Sequence, residues 1–250
     1  MPAIILPNDL KVVFDLDDTL IMTMVKFNRT AVECGSLIID ALGWYAPYAP
    51  DLFDLQVRID IELTSTLGFG PQKFATCWLQ TYEMLCNERG LIPSDTVKYR
   101  LQRIAMKPFI GPSELVPGAK DTIIQLHAAG YQLFMCTMGE RNVQLTKLIS
   151  TGLKDYFRLD RVHATTRSKV DVLREIAADS PELTVMVGDS KKSDIKAAQE
   201  VGAQAIHVEC PTQWSYNHLD DTELGPYWHP PDISGVPAVL DRIRQGEKPV

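Results

Sequence analysis

Three acidic residues fall within four positions at Asp15-Leu16-Asp17-Asp18, directly after the apolar run Val12-Val13-Phe14. Such a run reads as a buried strand, and no core takes up that much charge without a partner. Carboxylates so close repel one another unless a cation sits among them. Magnesium suits the place: it is a hard ion with oxygen ligands, commonly held by one or two carboxylates together with substrate phosphates. Asp15 and Asp17 stand two apart, so a strand running through Asp15 starts both on one side, and the turn that follows can aim them at one pocket. One carboxylate is then available to attack and one to shuttle a proton, which is the outline of metal-dependent phosphate chemistry.

Positioning such groups requires a scaffold, and the rest of the chain supplies its pattern. Between about Ile21 and Pro108 no strong buried strand is evident, but amphipathic segments predict helices over Met22–Trp44, Pro50–Leu67, Pro71–Arg89 and Ser94–Met106. Pro47 and Pro50, Gly68 to Pro71, Gly90 and Pro93, and Pro108 to Pro112 punctuate them. From Leu115 strand and helix alternate, the mark of a parallel sheet covered on both faces. A helix near Pro117–Ala129 precedes a strand over Tyr131–Thr137, and a helix near Glu140–Ser150 precedes a short strand over Phe157–Thr165. Ser168 predicts a cap for a helix with Val170, Leu173, Ile176 and Ala177 on its apolar face. Strands over Thr184–Val187 and Ala205–Val208 flank a helix that ends at Gly202. The expected fold class is α/β: a Rossmann-like doubly wound parallel sheet formed by 1–20 and 109–250, with 21–108 inserted as an all-helical cap domain.

Composition excludes several alternatives. The 250 residues are 45% hydrophobic and 23% charged, near globular averages, so neither a disordered nor a fibrous class is favoured. A net charge of −7 with no long basic run argues against nucleic acid or an anionic membrane as a partner. Met1–Leu10 lacks the pattern of a secretory signal, so a cytoplasmic location is expected. Cys34, Cys77, Cys86, Cys136 and Cys210 are scattered without metal-ligand spacing, and Cys136 reads as a small core hydrophobe. His127, His163, His207, His218 and His229 are dispersed and read as structural.

In an open parallel sheet, ligands bind outside the carboxyl ends of the strands. Asp15, Thr137 and Asp189 each end a different expected strand, so the topology can gather them although they are remote in sequence. Asp15-Leu16-Asp17-Asp18-Thr19-Leu20, Thr137, Lys169, and Gly188-Asp189 with Asp194 follow one another in an order that resembles the haloacid dehalogenase superfamily in its phosphatase branch. The resemblance covers roughly residues 10 to 210, and the helical insert falls between the first and second signatures. It implies that Asp15 is the nucleophile and Asp17 the general acid and base, with Thr137, the Met138 amide and Lys169 binding phosphate. It implies Mg2+ held by Asp15, the main-chain carbonyl of Asp17 and Asp189, with Asp194 as an outer ligand or a partner of Lys169. The expected partner is a small phosphorylated metabolite.

A dehalogenase needs no acid two residues after its nucleophile, so Asp17 disfavours that branch. A phosphomutase would keep the same residues and differ only in the phosphoryl acceptor. A non-enzymatic phosphoacceptor of the response-regulator kind shares the acidic cluster, hydroxyl and lysine, but has about half this length and no helical insert. A binding protein that has lost catalysis is disfavoured by the complete set Asp15, Asp17, Thr137, Lys169 and Asp189. After Thr137, Met138-Gly139-Glu140 departs from the Asn and Gly or Lys of many relatives. Beyond Glu209, Trp214, Tyr216, Tyr227 and Trp228 alternate with prolines and are expected to pack on the core.

Overall fold

The computed structural model describes residues 4–166, 168–212, 214, 217 and 219–249; Tyr216 and His218 lie outside them. Five parallel strands form one sheet: β1 (Lys11–Phe14), β2 (Gln132–Met138), β3 (Val162–Thr165), β4 (Thr184–Gly188) and β5 (Gln204–His207), in the order β3-β2-β1-β4-β5. The central strand pairs Phe14 with Met135 on one side and Val187 on the other.

By contacts the chain divides into two compact units, Thr23–Gly111 and the remainder. The inserted unit is helical, with α1 (Met24–Leu42), α2 (Ala49–Leu67), α3 (Pro71–Glu88) and α4 (Asp95–Ala105). Prolines at the first turns of α2 and α3 start helices where a missing N–H costs nothing. Its own core centres on Trp78, fully buried, with the rings of Phe53 and Phe74 edge-on at 6.5 and 6.4 Å.

Around the sheet stand α5 (Ala119–Ala128), α6 (Arg141–Ser150), α7 (Lys169–Ala177), α8 (Lys196–Glu200) and α9 (Val236–Arg244). Alternation along the strands divides the core. Val12, Phe14, Leu133, Met135, Val185 and Val187 pack with Ile123 of α5 and Leu240 of α9. Val13, Cys136, Met186 and Ala205 pack instead with Leu173 of α7 and Ala198 of α8. Both faces are therefore covered, which is why these strands read as continuous apolar runs.

The expected boundaries shift at the third strand. The third strand begins only at Val162, because Leu153–Tyr156 and Leu159–Arg161 form tight 3-10 turns. Phe157 still reaches the core, edge-on to Phe14 at 6.5 Å, so its burial needs no strand. The terminal helix runs over Val236–Arg244, so the stretch Asp241–Arg244 closes it. Trp228 is buried as expected, and it also joins the sheet edge by main-chain bonds to Ala205 and His207, while the Arg242 guanidinium covers its ring at 4.6 Å. Tyr227 lies against the His207 ring at 5.8 Å.

The chain leaves and re-enters the sheet unit along paired backbone: Val116 N–H donates to the Leu20 carbonyl at 2.9 Å, and Met22 N–H to that of Glu114 at 2.8 Å. Among the described residues no helix is long and apolar enough to cross a membrane.

Phe14 is fully buried in the central strand, so Phe14→Ala is expected to cost about 3–5 kcal/mol. Denaturant unfolding followed by tryptophan fluorescence and by circular dichroism would read that loss.

Candidate active site

The order of the sheet reverses at β1: the chain builds β2 and β3 on one side and then returns to place β4 and β5 on the other. That switch point opens a crevice at the carboxyl ends of the strands. Asp15 is the first residue past β1, and its N–H donates to the Val187 carbonyl at 2.9 Å, so β4 holds it in place. Asp189 is the first residue past β4, and Thr137 lies one residue before the end of β2. Lys169 opens α7, where the Ser168 hydroxyl accepts from Val170 N–H at 3.1 Å and fixes the helix start. Asp194 sits in a π-helical turn, Lys191–Ile195, which Ser190 caps by accepting from Ser193 N–H at 3.1 Å.

One ammonium ties these pieces together. Lys169 Nζ donates to Asp15 Oδ1 at 2.6 Å and to Asp194 Oδ1 at 2.5 Å, with all three side chains buried. The second oxygen of Asp194 accepts from Ser190 N–H at 3.0 Å. Gly188 makes this approach possible, since a Cβ there would lie 2.3 Å from the Asp194 carboxylate. Thr19, also buried, donates to Asp189 Oδ1 at 3.2 Å and accepts from Asp189 N–H at 3.0 Å. His207 Nε2 lies 2.9 Å from the Asp189 carbonyl, which only accepts, so that nitrogen carries the proton.

Negative charge exceeds what Lys169 neutralises. Burial, followed by the repulsion of Asp194 and Asp17, pushes the Asp15 carboxyl up to about 7 although Lys169 works the other way. Asp189 is raised well above the ordinary carboxylate range by burial and then by Asp15, Asp194 and Asp18. Burial acts against the Lys169 ammonium too, but Asp15 and Asp194 outweigh it and hold the amine above the usual lysine range. Oxygens of Asp15, Asp189 and Asp194 all lie within 4.8 Å of one another. A buried set of hard oxygen donors carrying surplus negative charge fits a small divalent cation. Nearby, the Thr137 hydroxyl is fully buried with no hydrogen-bond partner among the described residues, as suits a donor to an anionic ligand. Cys136 is fully buried, and that burial pushes its thiol up to about 12, as befits a small core residue.

Asp17 stands apart from the three acids. Its carboxylate is about a quarter exposed and takes both oxygens to Lys147 Nζ of α6, at 2.7 and 2.8 Å. Gln144, one helical turn earlier, donates to Asp17 Oδ2 at 2.8 Å and to the Met138 carbonyl. Met138 itself closes β2, in register with Thr165. The spacing of acids and strand ends thus brings Asp15, Thr137, Lys169, Asp189 and Asp194 to one end of the sheet. It does not announce Lys147 and Gln144, which resemble the solvated face of an ordinary helix. Their three-residue spacing, which puts both on one face, is the one signal the sequence holds. Thr19 passes in sequence for a turn cap, yet it is fully buried against Asp189.

Comparison with known proteins agrees in length and in region. Residues 12–202 match the family model described as haloacid dehalogenase-like hydrolase. The pyrimidine 5'-nucleotidase PynA of Streptococcus pneumoniae is 30% identical over 241 residues, covering 83% of this chain and 92% of that one. The glyceraldehyde 3-phosphate phosphatase of Methanothermobacter thermautotrophicus is 27% identical over 227 residues, covering 85% and 92%. Among solved structures, a haloacid dehalogenase-like hydrolase from Xanthomonas campestris superposes with a TM-score of 0.74 at 20% identity, over 95% of this chain and 92% of that one, a likeness of fold.

Breaking the buried pairs by Lys169→Met leaves two carboxylates uncompensated and is expected to cost about 3–5 kcal/mol at neutral pH. Adding Asp194→Asn to that variant should recover part of the loss, which thermal unfolding of the single and double variants would show. Gly188→Ala should cost about 1–3 kcal/mol, because its methyl group displaces Asp194.

Proposed function

Because the chain belongs to the haloacid dehalogenase-like hydrolase family, we propose that it is a magnesium-dependent phosphohydrolase that cleaves a small phosphate monoester through an aspartyl phosphate. Support comes from one constellation: a buried carboxylate at the central strand end, bridged by Lys169 to Asp194, beside Asp189 and the unpartnered Thr137 hydroxyl.

In this proposal an oxygen of Asp15 attacks phosphorus, and the bond from phosphorus to the ester oxygen breaks. The electron pair leaves with the alkoxide, which takes a proton from the Asp17 carboxyl. Water then attacks the aspartyl phosphate and loses its proton to Asp17. The bond from phosphorus to Asp15 breaks, and inorganic phosphate departs. Both aspartates are regenerated, so the net change is ester plus water to alcohol plus phosphate. Thr137, the Met138 amide and Lys169 would bind the phosphoryl oxygens as charge develops on them. The Asp15 and Asp189 carboxylates and the Asp17 main-chain carbonyl would hold Mg2+, with Asp194 as outer ligand and partner of Lys169. When bound, the ion supplies charge neutralisation at the phosphoryl group and orients it for in-line attack. The insert 21–108 would serve as a cap that selects the substrate and excludes water. The substrate is a soluble phosphorylated metabolite met in the cytoplasm; nucleoside monophosphates and triose phosphates head the candidates, since one relative is a pyrimidine 5'-nucleotidase and another a glyceraldehyde 3-phosphate phosphatase.

Phosphate release from a panel of nucleoside monophosphates, sugar phosphates and short phosphorylated acids is expected only with Mg2+ present and not from Asp15→Asn. Stable labelling of the chain without turnover would count instead for a phosphomutase or a phosphoacceptor. In thermal unfolding, Mg2+ at about 100 times its dissociation constant should stabilise the wild type by about 2.7 kcal/mol, and Asp189→Asn by less.

A further inference from the structure

We propose that Lys147 and Gln144 are the positioning residues of Asp17, fixing its carboxylate for both proton transfers. This rests on Asp17 being the acid and base proposed above. An acid that protonates one oxygen and later deprotonates another must present its carboxylate at one place in both steps, although it sits on a loop and not in a strand. Asp17 follows the end of β1 by three residues, and the positive φ of 60° at Asp18 turns the chain sharply beside it.

The hold on Asp17 comes from α6. A single ammonium, Lys147 Nζ, donates to both Asp17 oxygens at 2.7 and 2.8 Å, and the Lys147 side chain is nine-tenths buried. Gln144, 3% exposed, adds a bond to Oδ2 at 2.8 Å and uses the same nitrogen to reach the Met138 carbonyl. It therefore couples Asp17 to the main chain that follows Thr137, so the proton-transfer group and the phosphate-binding strand end share one brace. Backbone was shaped for this contact: Gly139 has φ +128°, and a Cβ there would lie 2.8 Å from Gln144 Nε2. The Asp17 side chain keeps a quarter of its surface open, so the clamp restrains the carboxylate without enclosing it. A buried ion pair meant only to hold α6 against the sheet would have no need of an exposed carboxylate or of a second donor from the same helix face.

The test compares wild type, Lys147→Met, Lys147→Arg, Asp17→Asn and the double variant Asp17→Asn/Lys147→Met, using an alkyl phosphate from the active panel and p-nitrophenyl phosphate, whose leaving group needs no proton. Lys147→Met should lower kcat for the alkyl phosphate about 100-fold with KM little changed, the scale of a lost acid–base contribution. With p-nitrophenyl phosphate it should give a burst of about one nitrophenol per chain and then slow turnover, because only the hydrolytic step still needs Asp17. Lys147→Arg, whose planar fork also takes a carboxylate through two donors, should restore most of the rate. The double variant should be no slower than Asp17→Asn alone. A double variant slowed by the product of the two single effects, or a Lys147→Met whose KM rises while kcat holds, would overturn the proposal. Should Lys147→Met fail to fold, Gln144→Met carries the same comparison, with a smaller loss of kcat expected and the same non-additivity with Asp17→Asn. A wild type and an Asp17→Asn that turn over the alkyl phosphate equally would show that the role of Asp17 is wrong, whatever Lys147 does.

Discussion

The Lys169 ammonium between Asp15 and Asp194 is the contact on which the rest of the sheet unit depends. Burying one carboxylate unpaired costs several kcal/mol, and this crevice holds three within 4.8 Å of one another. A single cation cannot satisfy all three: it pairs Asp15 and Asp194, while Asp189 accepts from Thr19. Every partner comes from a different element: Asp15 from the end of β1, Asp194 from the turn after β4, and Lys169 from the first position of α7. Their meeting therefore requires the strand order, the cap on α7 and the tight turn after Gly188 all to be correct together. Apolar packing on both faces supplies the stiffness, and the charge cluster takes advantage of it.

The remaining negative charge gives the centre its chemical character. Asp15 and Asp189 are both pushed toward protonation first by burial and then by neighbouring acids. Such a site is strained in electrostatic terms when it holds only protein. Asp189 is held on two sides, by Thr19 at its carboxylate and by His207 at its carbonyl. Asp17 is paired with Lys147 and a quarter exposed, so Asp15 and Asp17 meet different surroundings. One short stretch of sequence thus holds carboxylates in two different environments.

Much of this is legible from residues alone, for physical reasons. A buried apolar strand that runs straight into aspartate makes little sense unless the carboxylate meets a ligand or a counter-charge at the strand end. Asp15 and Asp189 therefore stand out, and with them the parallel sheet and its order of elements. Lys169 is legible only through its place after the other signatures, because a lysine at a helix start is ordinarily solvated. Gln144 and Lys147 escape notice because polar residues buried by polar partners leave no hydrophobic period behind. The stretch before β3 misleads in the opposite sense: Phe157 is apolar and buried, but it reaches the core from 3-10 turns. Trp228 is legible as a packing residue, whereas its main-chain pairing with β5 belongs to the backbone and has no side-chain signature.

The paired backbone at Leu20–Met22 and Glu114–Val116 makes the fold tolerant of whatever is inserted there. Since the two ends are already pinned side by side, the segment between them is a closed loop, and the entropy of closing a loop grows only with the logarithm of its length. Each doubling costs about 0.6 kcal/mol. By that measure, a change in the length of the inserted segment costs the fold of the sheet unit little.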